Sequence, residues 1–577
     1  MIIKKWKKRL SKKYNRKHLK WNILLITNRD SDNVGDQVIE ISDIGLIHTI
    51  MKNSGFTEEE YSITSRAAGF VTKKYLETKD VSLLKDAECA IKDADLIIFG
   101  GAPLFNYKYQ VFYEQTAITL EIAQKYNKPV LFSGIGIESY DSDNIKCQRL
   151  KKTLNFECVK QITTRDGIDY LNQYIDNKNI VINKVSDPAV FSSNVFKNYS
   201  MAKNNERKKV GIFVLRANGF LDNGVNINRN DAAELWISLV HELEKKDMDY
   251  EFLTSGHFGD EAFLDRLIRM YNINPDKCVF NINDPETLLQ KMSEYDGIVS
   301  CRLHPSIISY SLGIPSIGIV WNSKVSAFYE NIGYAERTID IREFKAEVVA
   351  DKIEKSMKQG VEQNRDFMMS VYNTLFCGIH NVLCADDYKN IPYSYDELIK
   401  NMWRYRGTSG GEKKQKLKRK FRRTYDKYNK VSDKYNKVSD LLKEKTEILR
   451  ELTFHIIYHS GTNDDGLKIK DETVKTWRTK SGAYEYEYDK RYCNSGDSII
   501  EKVAFEYPEN SFVGWRMRIK DEIGNWYWYT NKQELMPLEQ YDSTKKKMLY
   551  RLQDEGMIPY LKNIKIDVIV LEAEWES

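Results

Sequence analysis

Short apolar runs alternate with stretches of helical periodicity through the first part of the chain, and this alternation limits the folds that it can adopt. The first runs are bounded by Gly, Pro and Asp and lie at 22–27, 95–99, 130–133 and 180–185. Helical patterns lie between and after them at 38–52, 113–126 and 166–174. Apolar strands separated by helices are typical of βαβ units, in which helices cover both faces of a parallel sheet. The pattern therefore predicts a doubly wound α/β domain over 22–200.

A second set of the same kind follows a polar, unpatterned segment at 192–208, which we interpret as a linker. Its predicted strands are 210–215, 250–253, 279–282, 297–300 and 316–320, and its predicted helices are 231–245, 260–271 and 285–293. Later helical patterns, up to residue 402, are expected to pack back on this body. The sequence thus predicts two Rossmann-like domains, 22–200 and 201–405, that face a cleft. In such folds ligands bind at the carboxyl ends of the strands.

The chain changes character after the segment RGTSGGE at 406–412. A helix predicted over 413–453 contains the heptad DKYNKVS twice, at 426–432 and 433–439. The a positions are Phe421, Tyr428, Tyr435, Leu442 and Leu449, and the d positions are Leu417, Thr424, Val431, Val438, Lys445 and Leu452. This seam predicts a coiled coil and a homo-oligomer; a single solvated helix is the alternative, because Thr424 and Lys445 interrupt the apolar pattern.

Residues 460–577 hold five of the ten tryptophans and alternate polar with apolar residues, which predicts a small β-rich accessory domain. The segments FVGWRMR (512–518) and LEAEW (571–575) resemble the ends of β-grasp repeats of the Listeria–Bacteroides type. Exposed aromatic rings there would stack on sugars, whereas an aromatic core is the alternative interpretation.

The formal net charge of +5 is unevenly distributed. Residues 1–20 carry ten Lys or Arg and no acid, and 413–423 carry eight more. The rest of the chain is acidic, which argues against nucleic-acid binding. One face of the arm 1–21 is apolar, so we expect a basic amphipathic helix that lies on an anionic membrane; a disordered soluble tail is the alternative. The apolar side chains of that face are Ile3, Trp6, Leu10 and Tyr14.

Several classes of protein do not fit this sequence. No run approaches the ~20 apolar residues that span a bilayer, and the basic N-terminus is followed by no apolar core typical of a secretory signal. The eight cysteines show no metal-ligand spacing, so we expect reduced thiols, a cytoplasmic location and no metal site. A peripheral position on the inner face of the membrane would follow if the arm binds lipid.

The segment YDGIVSCRLHPSIISYSLGIPSIGI (295–319) carries the strongest chemical signal. Arg302 and His304 follow a predicted strand, and Pro305 is expected to open a helix. In an extended stretch residues i and i+2 point the same way, so this pair is predicted to face one site. An Arg and a His beside a helix N-terminus suit an anion that undergoes proton transfer.

This segment resembles the signature of the polysaccharide pyruvyl transferase family, an Arg-x-His pair followed by Gly-x-Pro. Other segments resemble that family in the expected order. They are NVGDQVIEISDIGLIHTIM (33–51), ADLIIFGGAPLF (94–105), SGIGIES (133–139), TTRDGIDYL (163–171), VSDPAVF (185–191), KVGIFVLRANGF (209–220) and WNSKVSAFYENIG (321–333). The likeness runs over about residues 22–340. One departure is the turn GGAP, where many members carry a third glycine.

The resemblance implies a two-domain, GT-B-like fold and phosphoenolpyruvate as donor. The enolpyruvyl group would pass to two hydroxyls of a sugar in a surface-glycan precursor, forming a pyruvate ketal and releasing phosphate, with no further cofactor. His304 would be the general acid, with a helix cap or a core histidine as the alternative. Arg216, Arg302 and Lys324 would hold the two anionic groups of the donor.

Asp36 and Glu138 are the acceptor-side candidates, and Asp36 has a helix cap as its alternative role. Arg216 has a surface salt bridge as its alternative, and His257 is interpreted as a loop histidine outside the chemistry. The expected partners are phosphoenolpyruvate and a glycan or lipid-linked oligosaccharide. Two other functions fit the same fold: a glycosyltransferase that uses a sugar nucleotide, and a catalytically silent glycan-binding assembly protein.

Overall fold

The computed structural model describes most of the chain up to residue 451 and separate segments beyond it. The described ranges are 20–105, 112–199, 206–221, 224–384, 391–451, 453–459, 469–478, 484–488, 491–493, 511–521, 523–529, 535–537, 549–550 and 566–576. The chain divides between Thr424 and Tyr425 into two compact units. Within the described part, no helix is both long enough and apolar enough to cross a membrane.

The first unit contains two parallel sheets of six strands each. The first sheet consists of β1 (Trp21–Thr27), β2 (Tyr61–Ala67), β3 (Leu96–Gly100), β4 (Val130–Ile135), β5 (Val159–Thr164) and β6 (Val181–Lys184), in the order β2-β1-β3-β4-β5-β6. The second consists of β7 (Lys209–Phe213), β8 (Asp249–Leu253), β9 (Cys278–Val279), β10 (Gly297–Ser300), β11 (Ser316–Val320) and β12 (Thr338–Asp340), in the order β12-β11-β10-β7-β8-β9. Two such sheets confirm the predicted pair of Rossmann-like, GT-B-like domains.

Helices connect the strands of both sheets. Those of the first domain are α1 (Val34–Asn53), α2 (Lys73–Thr78), α3 (Lys85–Asp93), α4 (Phe112–Lys125), α5 (Ile145–Leu154), α6 (Ile168–Tyr174) and α7 (Ser192–Val195). Those that follow are α8 (Ala217–Leu221), α9 (Arg229–Lys245), α10 (Phe258–Tyr271), α11 (Pro285–Met292), α12 (Leu303–Ser311), α13 (Ser323–Asn331), α14 (Ala346–Gln359), α15 (Arg365–Leu383), α16 (Tyr395–Asn401) and α17 (Gly410–Glu451).

Continuous apolar runs explain why the central strands form where they do. Every residue of β3, β4 and β10 is buried, as expected for strands covered on both faces. Each sheet has one switch point, from which the chain adds strands first on one side and then on the other. It lies between β1 and β3 in the first sheet and between β7 and β10 in the second. Ligands of doubly wound folds bind outside the carboxyl ends of the strands at these switch points.

The interpretation of 192–208 as a linker is wrong for its first eight residues. Residues 192–195 form α7 and 197–199 form a 3₁₀ turn, and Val195 and Phe196 are fully buried. The polar composition conceals these two apolar residues, which join the core between the domains. Residues 200–205 lie outside the described residues.

The later helices return to the first domain. The amide of Ser186 donates to the Ser370 hydroxyl of α15 at 2.9 Å, and Gly378 lies against the Gln161 side chain of β5. This return helps to hold the two domains in one unit.

The second unit contains the later part of α17 and a mixed sheet. Its strands are β13 (Thr453–His459), β14 (Ile469–Arg478), β15 (Tyr484–Tyr488), β16 (Arg491–Cys493), β17 (Ser511–Asp521), β18 (Trp526–Tyr529), β19 (Leu535–Pro537), β20 (Leu549–Tyr550) and β21 (Ile566–Glu576). β13 and β21 pair in parallel, and the other described pairs are antiparallel. The predicted β-rich module is confirmed.

Candidate active site

The Asn-x-Gly-Asp motif spans the end of the loop after β1 and the first turn of α1, and Asn33, Gly35 and Asp36 each have a different role there. Asn33 is the N-cap of α1, and its Oδ1 accepts from the amide of Gly35 at 3.2 Å. That bond turns the Asn33 amide nitrogen toward His304 of the second domain, where Nδ2 lies 3.1 Å from Nδ1 of the imidazole. Asn33 therefore caps the helix, and Asp36 does not have the capping role that was its alternative.

Gly35 provides the space for the imidazole. A Cβ at this position would lie 2.3 Å from Nδ1 of His304, closer than nonbonded atoms approach. The backbone of the first domain thus meets the side chain of the second at Gly35. The amide of Val34 also donates to the carbonyl of Ser255 at 2.7 Å, which ties the same loop to the second domain.

His304 lies in the first turn of α12 and faces Asp36. Its Nε2 lies 3.8 Å from Oδ1 of Asp36, and both side chains are about 90% buried. Because Asn33 Nδ2 is a donor, Nδ1 of His304 is the acceptor and the neutral ring carries its proton on Nε2, toward Asp36. The side chain is thus engaged by the first domain and does not cap its own helix.

The predicted extended stretch around Arg302 and His304 is wrong. Arg302 is the extended N-cap residue of α12, and the helix begins at Leu303, before Pro305. Proline is tolerated there because the amides of the first turn have no partners within the helix. The two side chains therefore separate: His304 reaches the first domain, whereas Arg302 binds Asp260 of its own domain.

Burial controls the protonation of the His304 and Asp36 pair. It lowers the pKa of His304 to about 3, and the charges of Arg165, Arg302 and Lys324 add to this effect. Burial also raises the pKa of Asp36 to about 6, against the opposing effects of Ser31, Arg165 and Asn28. Near neutral pH the pair therefore consists of a neutral imidazole beside a carboxylate.

A buried carboxylate orients the two arginines that the sequence singled out. Arg216 Nη1 lies 3.1 Å from Oδ1 of Asp260, and Arg302 forms an ion pair with Oδ2 of the same residue. Burial alone would raise the pKa of Asp260, but Arg302 and Arg216, with His257 beside them, outweigh it and lower the pKa. Arg216 is only 29% exposed and its partner is fully buried, unlike a pair on the protein surface.

His257 has a structural contact near this pair. Its Nδ1 accepts from the amide of Gly259 at 3.1 Å and caps α10. It also lies 3.3 Å from Nη1 of Arg216. The residue that we interpreted as a loop histidine thus belongs to the surroundings of a predicted donor-binding arginine.

Lys324 and Glu138 meet across the cleft. Lys324, in the first turn of α13, places Nζ 3.3 Å from Oε1 of Glu138, which follows β4. A small pocket lies nearby and is lined partly by Arg165, Leu303 and Lys324. Lys324, predicted to bind the donor, and Glu138, predicted to lie on the acceptor side, therefore form an ion pair with each other.

The sequence interpretation missed Arg165. This residue follows β5, its side chain is 7% exposed, and it forms an ion pair with the buried Asp187. Its charge acts on both Asp36 and His304. The signal was present in TTRDGIDYL at 163–171, where an arginine follows an apolar strand as Arg216 does.

A model of the polysaccharide pyruvyl transferase family matches residues 2–323 of the chain. No curated protein shows significant similarity to it. Solved structures with related folds include a putative UDP-N-acetylglucosamine 2-epimerase from Listeria monocytogenes, with 9% identity and a TM-score of 0.42 over 65% of this chain and 100% of that one.

Two further solved structures show similar values. The S. aureus MnaA–UDP structure has 12% identity and a TM-score of 0.44, over 65% of this chain and 100% of that one. A glycosyltransferase from Rickettsia africae has 15% identity and a TM-score of 0.35, over 66% and 99%. At TM-scores below 0.5, no functional conclusion rests on these similarities.

Proposed function

Since this chain belongs to the polysaccharide pyruvyl transferase family, we propose that it transfers the enolpyruvyl group of phosphoenolpyruvate to a sugar of a surface-glycan precursor. The product would be a cyclic pyruvate ketal, with phosphate released. The observation that carries the proposal is the buried His304, which faces Asp36 across the domain junction. Arginine and lysine side chains near this pair match the anionic character of the donor.

The donor carries a carboxylate and a phosphate close together. Arg216 and Arg302 are oriented by one carboxylate, Asp260, so their remaining N–H groups form a fixed pair of donors for one anionic group. The Nε of Arg302 is buried and makes no hydrogen bond. Lys324 supplies a point charge for the other anionic group, and its ion pair with Glu138 would open as the donor binds.

Donor binding would also change the protonation of His304. The imidazole of His304 has a low pKa because it is buried and because cations surround it. The negative charges of phosphoenolpyruvate would offset Arg302 and Lys324, raise that pKa and favour the imidazolium. We propose that His304 then gives a proton to the methylene carbon, while the carboxylate of Asp36 stabilises the imidazolium.

Protonation of the methylene carbon uses the electrons of the C=C bond and leaves a cationic centre at C2. A sugar hydroxyl then forms a C–O bond to C2, and its proton passes to the neutral His304 or to Asp36. Cleavage of the bond between C2 and the phosphate oxygen releases phosphate, which takes the bonding electrons, and regenerates the cationic centre. The second hydroxyl forms a C–O bond to C2 and closes the ketal, and its proton passes to the released phosphate or to Asp36. Asp36 and Glu138 are positioned on the first-domain side to orient these hydroxyls.

The acceptor is proposed to be a glycan carried by a lipid, presented to a cytoplasmic enzyme. The basic arm 1–21, which would bring the enzyme to the membrane, lies outside the described residues. Cosedimentation with anionic liposomes tests this role: deletion of residues 1–20 should abolish binding. Equal binding of the two proteins would exclude the arm as a membrane anchor.

The heptad seam of α17 supports a proposal that the enzyme is a parallel homodimer. Seam positions 417, 421, 428, 431, 435, 438 and 442 are each 55–72% exposed in the single chain. The g positions Lys427 and Lys434 would meet Ser432 and Ser439 in a parallel pair, but would meet each other in an antiparallel one. Avoiding like-charge contacts therefore favours the parallel arrangement.

Replacement of Tyr435 by glutamate tests this dimer, because it places a charge in the middle of the seam. We expect the variant to be monomeric by light scattering, whereas Asn436→Glu, on the b position outside the seam, should stay dimeric. A wild-type chain that is monomeric at micromolar concentration would contradict the proposal.

The donor and acceptor are tested together with a panel of lipid-linked oligosaccharides. The enzyme should attach pyruvate to one of them when phosphoenolpyruvate is present, as detected by mass spectrometry of the glycan. Consumption of a sugar nucleotide would support the glycosyltransferase alternative. Glycan binding without turnover of either donor would support the second alternative, a catalytically silent glycan-binding assembly protein.

A further inference from the structure

One face of the first turns of α17 is occupied by basic residues that contact the body of the first unit. Lys413, Lys416, Lys420 and Arg423 recur at spacings of three and four residues, so they share one side of the helix. Phe421, which is 71% exposed, lies on the opposite side, whereas Leu417, 55% exposed, lies at the edge of the basic face and lines a pocket with Lys416 and Lys420. The helix is therefore attached to the body mainly through charged side chains.

Contacts of Lys416, Arg419 and Arg423 reach the segment 30–37 of the first domain, which leads to the site. Arg419 Nη1 lies 2.6 Å from Oδ1 of Asp30, and Arg423 Nη2 lies 3.3 Å from Oδ1 of Asp32. Arg423 also donates to the carbonyl of Asp30. Lys416 Nζ donates to Oε1 of Gln37 at 3.0 Å. The acceptors of this segment thus lie on both sides of the Asn33–Asp36 motif.

The same helix also binds the second domain. Lys420 Nζ lies 2.8 Å from Oε1 of Glu261 and 2.9 Å from Oδ1 of Asn283. Lys413 Nζ lies 3.0 Å from Oε1 of Glu286. Glu261 directly follows Asp260, the residue that orients the two donor-binding arginines. One stretch of helix therefore connects the segments that present Asp36 and those arginines.

The contact of Lys420 with Glu261 differs from an isolated surface ion pair. Lys420 and Glu261 have only 15% and 16% exposed side chains, which limits screening by salt. The other ion pairs of the strap are more exposed, and they act as members of one network that joins the two domains rather than as isolated pairs. Two domains joined by a cleft otherwise change their separation readily.

We propose that residues 410–424 of α17, here called the interdomain strap, set the separation of the two domains and thereby the alignment of Asp36 with His304. The residues of the strap are positioning residues, because they act through the loops that they hold. The expected effect on turnover rests on the proposed function; the effect on domain closure does not.

Charge reversal tests the strap in the full-length protein. Arg419→Glu with Lys420→Glu removes one contact to each domain and adds repulsion with Asp30 and Glu261. We expect hydrogen exchange in loops 28–37 and 254–260 to increase at least tenfold. Lys418→Glu is the matched control, because this neighbouring lysine is exposed and has no described contact; its exchange should equal the wild type.

A charge swap between Arg419 and Asp30 distinguishes a positioning role of this ion pair from a general loss of protein stability. Arg419→Glu alone should lower kcat about tenfold, with a smaller change in KM, and Asp30→Arg in the same protein should restore most of it. Unchanged exchange in the two loops of the double reversal would overturn the strap. A wild type without turnover would count against the proposed function alone, because the exchange measurement would still test the strap.

Discussion

At the residue scale, the close contact between Gly35 and His304 fixes the position of the imidazole in the candidate site. The space for the imidazole exists because position 35 has no side chain. His304 in turn takes its orientation from Asn33, whose amide is fixed by the Gly35 amide. The three residues are close in space but come from two domains, so the Asn-x-Gly-Asp motif and the Arg-x-His motif form one site.

Gly35→Ala should reduce turnover about a hundredfold, because the new methyl group displaces the imidazole by about 1 Å or more. The measurement is kcat with a saturating glycan acceptor. Gly69→Ala is the control, since Gly69 is exposed, a methyl group there makes only an ordinary contact with the Gln115 side chain, and activity should stay unchanged. Full activity of Gly35→Ala would show that the imidazole does not need this position.

Asp36→Asn should make the protein more stable and less active at pH 7. The pKa of Asp36 is raised from 3.8 to about 6, so the folded state holds the proton more tightly between these values. The carboxylate therefore costs stability above pH 6, by roughly 3 kcal/mol for a shift of about two pKa units. An asparagine oxygen can still accept from Asn28, which binds Asp36 at 2.9 Å in the wild type.

Urea unfolding at pH 7 and pH 4 measures this effect. The gain from Asp36→Asn should be present at pH 7 and should shrink as the pH falls from 6 towards 4, because the wild-type residue then becomes neutral as well. The wild type should show a change of kcat/KM with pH near pH 6, where Asp36 titrates, and Asp36→Asn should lack this change. An Asp36→Asn protein that is less stable than wild type at pH 7 would contradict the inferred burial cost.

At the element scale, the carboxyl ends of the parallel strands bring the candidate residues together. Asp36 and Arg216 follow β1 and β7, while Arg165, Arg302 and Lys324 follow β5, β10 and β11. Strands β1, β7 and β10 flank the two switch points. The fold thus presents cations from both domains to one cleft, as an anionic donor requires.

Asp260, in the first turn of α10, provides a prediction about this arrangement. Asp260→Asn removes the charge that holds Arg216 and Arg302 together, so KM for phosphoenolpyruvate should rise about tenfold while kcat changes less. Asp265→Asn on the same helix is the control, because Asp265 forms an exposed pair with Arg269. Equal KM values for the two variants would exclude the proposed role of Asp260.

Nine of the twelve strands in the two parallel sheets were predicted, because their apolar runs are strong. Strands β2, β5 and β12 were not, because β2 and β5 mix polar with apolar residues and β12 has only three residues. The start of α12 was not, because Pro305 suggested a helix boundary and nothing local shows that the helix already begins at Leu303. Arg165 was missed because its role depends on Asp36 and His304, which are far away in sequence. Local patterns predict elements, whereas contacts between domains need the assembled fold.

At the scale of the whole molecule, the structure shows that the basic segment 413–423 binds other parts of this chain. In the sequence this segment is distinguished by its eight Lys and Arg residues. Five of its eight basic residues contact acceptors elsewhere in the chain, namely Lys413, Lys416, Arg419, Lys420 and Arg423. The strap proposal assigns these contacts the role of positioning the two domains. The sequence pattern could not show this partner, because the acceptors are scattered over 30–37 and 261–286.

The most direct measurement is phosphate release from phosphoenolpyruvate with a lipid-linked glycan acceptor. The wild type should release phosphate only when the acceptor is present, and His304→Ala should release at least a thousandfold less while keeping the wild-type circular dichroism spectrum. His241→Ala is the control, because that histidine is exposed on α9. Undiminished phosphate release by His304→Ala, or turnover of a sugar nucleotide in place of phosphoenolpyruvate, would contradict the account.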